Sequence, residues 1–230
     1  MAVGYTSDTD KTPATGSSFT YTSFVVSGTN PVIVVLIGLN STTATVSSVA
    51  VSAGLTSGTP VEIAAVRNTQ GANGTYVSIW VLPAPSGTGT ITVTLSASVA
   101  WQSTAILLSG ADQTTPGQAG DTVSATGDTP DPLVVTPANL TANDASVGLG
   151  ANASAGDDPQ FGGTGAVQTF YNNGTSINAS GGYKLGTGSI NCNWGVPAPE
   201  SLLVGARIIA ATAGGAAVLR SGGLLMLGVG

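Results

Sequence analysis

Apolar and polar residues alternate along much of this chain, in short runs closed by Gly, Pro, Asn or Ser. In "ITVTL" the side chains of Ile91, Val93 and Leu95 fall on one face and threonines on the other. In "SINCNW" the same split sets Ile190, Cys192 and Trp194 against Ser189, Asn191 and Asn193. "VEIAAV" places Val61, Ile63 and Ala65 together, and "YVSIWVL" places Val77, Ile79 and Val81 opposite Tyr76, Trp80 and Leu82. A period of two describes strands with one face on a core. Two further runs, "PVIVVLIGL" (31–39) and much of "SLLVGARII" (201–209), are apolar throughout. They predict central strands covered on both sides, because their β-branched content and bracketing Pro31 and Gly38 favour strand over buried helix. Further strands are expected at 19–26, 45–52, 103–109, 132–136, 145–150 and 165–171, with no amphipathic helix before residue 205. This pattern predicts an all-β chain, an antiparallel β-sandwich over 18–211. Residues 1–17 are small and polar and read as an extended N-terminal arm, and 212–230 as an apolar C-terminal arm.

Composition narrows the picture. Of 230 residues only 7% are charged, against about 25% in an average soluble domain, and the net charge is −6. The five basic residues, Lys11, Arg67, Lys184, Arg207 and Arg220, are scattered. Phosphate neutralisation needs clustered Lys or Arg, so no nucleic-acid partner is expected. A cationic membrane-surface helix is disfavoured for the same reason, and "IIAATAGGAAVL" (208–219) is too short to span a bilayer. Cys192 is the single cysteine, so no intrachain disulfide forms. The opening "MAVGYTSDTDKTP" shows no basic and no apolar leader region, which predicts synthesis in a cytoplasm.

Histidine is absent, which removes the commonest general base and zinc ligand. No nucleophile elbow, Walker loop or dinucleotide fingerprint appears, and the expectation is a protein without catalysis and without cofactor. The two glutamates, Glu62 and Glu200, read as solvated surface carboxylates rather than a glycosidase pair. Asp112, Asp121, Asp128, Asp131, Asp144, Asp157 and Asp158 crowd one region, but their spacing matches no calcium loop. Trp80, Trp101 and Trp194 read as core residues; Tyr171, Asn172 and Asn173 read as an exposed loop suited to a glycan.

One stretch carries a likeness. In 76–116, Trp80 and Leu82 lead into Pro85, Gly87 and Gly89, then a Thr/Val strand, then Ser109-Gly110-Ala111-Asp112-Gln113 with Pro116. This resembles a β-sandwich module of bacteriophage structural proteins and bacterial surface proteins. The resemblance covers roughly 18–211 and implies a jelly-roll-like sandwich with a structural role, most specifically a capsid decoration (cement) protein found on the virion. It also implies partners: the major capsid protein or other virion proteins, and further copies of the chain, with a trimer expected. The arm residues Leu224, Leu225, Met226, Leu227 and Val229 are the expected partner interface. The alternative is a carbohydrate-binding, host-adsorption module of a phage tail or fibre.

Overall fold

The computed structural model describes residues 1–70, 73–126, 132–153, 159–173, 176–194 and 200–212. The first part of the chain supplies β1 (Gly4–Val25), β2 (Val32–Asn40), β3 (Val46–Ser52), β4 (Val61–Asn68), β5 (Thr75–Pro83) and β6 (Thr88–Ser109). The second supplies β7 (Val123–Thr126), β8 (Leu133–Val135), β9 (Ala145–Asn152), β10 (Gln160–Gly162), β11 (Ala166–Asn173), β12 (Asn178–Leu185), β13 (Ile190–Asn193) and β14 (Leu202–Ile208). The strands build three sheets, in the orders β1-β6-β2-β5-β4 with β3 also on β6, β11-β12-β9-β14-β7, and β10-β13-β8. Every strand pairing is antiparallel. The chain is thus the all-β sandwich that its alternation predicts.

Its layers follow from which residues meet. Strand β2 is buried along nearly its whole length, and its alternate residues enter two different cores. Val32, Val34 and Leu36 pack with Val147 and Leu149 of β9 and Leu202 and Val204 of β14, between the first and second sheets. Ile33, Val35, Ile37 and Leu39 pack on the other side with Tyr21, Val49, Ile91 and Val93. Those partners belong to the same sheet: β1 and β6 each run for 22 residues and, with β3, curl back over it. Register shifts between Lys11 and Ala14 and between Gly16 and Ser18 supply the bend in β1, as bulges do. A third core joins the second sheet to the third, through Leu203, Ile190, Cys192, Trp194, Leu133, Val135 and Phe161. The result adds two outer layers to the two-sheet jelly-roll plan.

Some local details depart from the sequence pattern. Residues 4–16, read as an arm, are extended but paired along β6, from Gly4 opposite Ser109 to Gly16 opposite Val99. A bulge between Glu62 and Ala64 breaks the expected Val61–Ile63–Ala65 face. Ile63 and Ala64 both enter the first core, while Val61 and Ala65 are exposed. Strand β12, "NASGGYKL", escapes the pattern because Gly181 and Gly182 dilute its apolar face. Those glycines are required by close approach: a Cβ on Gly181 would stand 2.9 Å from the Gly148 carbonyl.

Candidate interaction surface

The first and second sheets meet along a flank where two edge strands run side by side. β1 pairs only with β6, and β11 only with β12. Across from Tyr5, Asp8 and Asp10 on β6 stand Leu108, Ile106 and Thr104. Leu108 and Ile106 face the core between the two sheets. Directly opposed residues share a face, so Tyr5, Asp8 and Asp10 overhang that side beyond the covered core. The Tyr5 ring stacks on Tyr183 of β12, centroids 4.7 Å apart and planes at 8°. Val167 is the cross-strand partner of Tyr183, and Leu185 lies two residues along on the same face. Tyr5, Val167 and Leu185 are 39%, 44% and 46% exposed, large values for apolar side chains around one stack.

The electrostatics of this flank have one sign. Tyr5 Oη donates to Asp8 Oδ1. Burial, then the Asp8 bond and charge, push the Tyr5 hydroxyl far up, and burial with Asp8 raises Tyr183. Burial and the neighbouring Asp8 charge also raise the Asp10 carboxyl. No described cation answers these carboxylates. Lys11 turns to the opposite face, 5.4 Å from the Tyr21 ring centroid. Lys184 donates to the Thr164 carbonyl, and Arg67 donates to the Ser41 and Ala44 carbonyls at 2.5 and 2.6 Å. Arg207 bridges Asp144 at 3.0 Å and Asp121 at 3.1 Å. The fifth basic residue, Arg220, lies outside the described residues.

The other sequence-derived candidates separate. Tyr171, Asn172 and Asn173 are not a loop but the end of β11, in register with Ser180, Ala179 and Asn178. Tyr171 is 44% exposed; Asn172 turns to the other face, where its Oδ1 accepts from Gln102 Nε2 at 3.3 Å. Among the aspartates, Asp112 caps its own turn by accepting from the Thr114 and Thr115 N–H groups, both at 2.8 Å. Asp121 and Asp144 serve Arg207, and Asp128, Asp131, Asp157 and Asp158 lie outside the described residues. No group of three or more His, Cys, Asp or Glu side chains among the described residues is placed to hold a metal ion.

Glu62 and Glu200 are not solvated as expected. Glu62 Oε1 accepts from Ser78 Oγ at 2.6 Å and from Tyr76 Oη at 3.1 Å, and Glu200 is buried. Burial, with the Glu62 charge, pushes the Tyr76 hydroxyl up to about 12. Trp101 and Trp194 are buried, and Trp80 packs partly buried against the second core. Cys192 is buried. The arm residues Leu224, Leu225, Met226, Leu227 and Val229 lie outside the described residues.

Comparison with models of protein families, with curated proteins and with solved structures finds no match to this chain.

Proposed function

We infer that this protein is a non-enzymatic structural subunit of a virion, a decoration (cement) protein that binds and stabilises neighbouring capsid subunits. The likeness of residues 76–116 to phage structural modules supports the class. One observation carries the mode of action: the place where the chain leaves the sandwich. The Ala211 N–H donates to the Gly110 carbonyl at 2.8 Å, and the Met1 ammonium donates to the Ala211 carbonyl at 2.9 Å. Beyond this anchored point the sequence holds Leu224, Leu225, Met226, Leu227 and Val229, and Arg220 as its sole charge. Burying those five side chains on a neighbour contributes several kcal/mol at about 25 cal/mol per Å² of apolar area. Ordering a glycine-rich arm opposes that gain, so repeated engagement in a symmetric shell is what makes it count.

The test is a deletion of 212–230. The truncated chain should keep the sandwich's circular dichroism and lose binding to capsids. Equal decoration by both forms would refute the arm's role.

A host-adsorption reading rests on Tyr171 and Asn173, which share the outward face of an edge strand. An exposed ring beside an amide suits a pyranose. A glycan array answers it, with loss of signal on Tyr171→Ala required.

A further inference from the structure

We propose that the flank formed by Tyr5, Asp8, Asp10, Val167 and Leu185 is the seat for the C-terminal segment of a second copy of this chain. The inference rests on the arm's role in assembly and names what that arm grips.

Three observations lead to it. The first is chemistry. The flank offers exposed apolar side chains around the Tyr5–Tyr183 stack and two carboxylates with no cation against them. It calls for an apolar strand with a cation set into it. "AAVLRSGGLLML" (216–227) is such a sequence, with Arg220 between Val218-Leu219 and Leu224-Leu225. The second is accounting of charge. Lys11, Arg67, Lys184 and Arg207 all have partners elsewhere, so Arg220 is the cation left for Asp8 and Asp10.

The third is reach. Ala211 bonds Gly110, next to Ser109, the partner of Gly4, so the exit is only a few strand residues from Tyr5, roughly 15 Å. Twelve residues separate Thr212 from Leu224, up to about 40 Å when extended. An arm seated on its own flank would overshoot it, whereas a neighbour's flank lies within that span. Both flank strands are sheet edges, which leaves the seat open from the side.

The test uses the full chain. Sedimentation velocity measures self-association of the parent, Asp8→Arg, Arg220→Asp and the double variant. Each single charge reversal should weaken association about tenfold, since like charges brought together repel, and the double variant should recover most of it. Arg220→Asp changes no residue of the sandwich, so its result stands even if Asp8→Arg folds poorly. A second measurement mixes Asp8→Cys protein with Arg220→Cys protein under mild oxidation. A disulfide-linked heterodimer is expected; the native Cys192 is buried and does not compete.

A linkage that forms only within single chains carrying both cysteines would overturn the inference, as would association indifferent to either charge. If the parent is monomeric yet decorates shells, and the 212–230 deletion does not, the arm's role survives and this seat falls. If the deletion decorates normally, the arm's role itself falls.

Discussion

Tyr5, four residues from the start of the chain, lies flat on Tyr183 of the second sheet, with ring planes 8° apart. The contact ties an edge strand of one sheet to the next sheet across more than 170 residues of sequence. It also holds β1 in place where a polar, charge-poor strand would otherwise fray.

The stack should therefore be measurable as a coupling. A double-mutant cycle of Tyr5→Ala and Tyr183→Ala, read by urea unfolding, should give an interaction of about 0.5–1.5 kcal/mol. A coupling near zero would mean that the two rings are neighbours without mutual stabilisation.

Gly150 and Cys192 set how closely the third sheet lies on the second. A Cβ on Gly150 would press on Cys192 Sγ and stand 2.7 Å from Cys192 Cβ. Gly150→Ala should cost about 1–3 kcal/mol by overpacking, seen as a lower urea midpoint with an unchanged m-value. Gly165→Ala is a poor control because its φ is +77°; Gly120→Ala, with open space around it, should change little. A thiol reagent should modify Cys192 only as fast as this layer opens.

Acid should weaken the fold through Asp144. Burial raises its carboxyl, but the Ala210 N–H, the Thr141 hydroxyl and N–H, and Arg207 together hold it below the usual carboxylate range. A folded pKa below the unfolded value of about 3.9 gives stability that is complete well above that pH and fades as pH falls through the folded value. Asp144→Asn should cost about 2–3 kcal/mol at pH 7, because Arg207 keeps only Asp121 and the Ala210 N–H loses a charged acceptor. The gap between parent and variant should narrow on acidification below about pH 4. A gap independent of pH would contradict the ion pair's role.

Asp10 should behave with the opposite sign. Its folded carboxyl titrates above the unfolded value, because of burial and then Asp8, so ionisation costs stability at neutral pH and the cost disappears in acid. Asp10→Asn should be neutral to stabilising at pH 7 by a few tenths of a kcal/mol, since solvent screens an exposed group. Unfolding at pH 7 and at about pH 3 separates the two aspartates: one variant loses its deficit and the other its advantage.

Much of this architecture is legible in the order of residues. Period-two runs mark β5, the start of β6 and β13, and unbroken apolar runs mark β2 and β14, which are covered on both faces. Solvent and core impose that alternation one residue at a time, so it can be read without knowing neighbours. Residues 4–16 have no such pattern, because an edge strand is held by backbone bonds to β6 that any side chain permits. The three-residue β10 and the glycine-thinned β12 are invisible for the same reason.

By itself, then, the sequence determined that the chain is β-rich, poor in charge, without histidine, and which strands lie deepest. Only the tertiary structure decided that β1 and β6 curl over their own sheet, that Glu200 is buried, and that Tyr5, Asp8, Asp10, Val167 and Leu185 share a flank. Those outcomes depend on which strands become neighbours, and pairing brings together residues that composition and period leave unrelated.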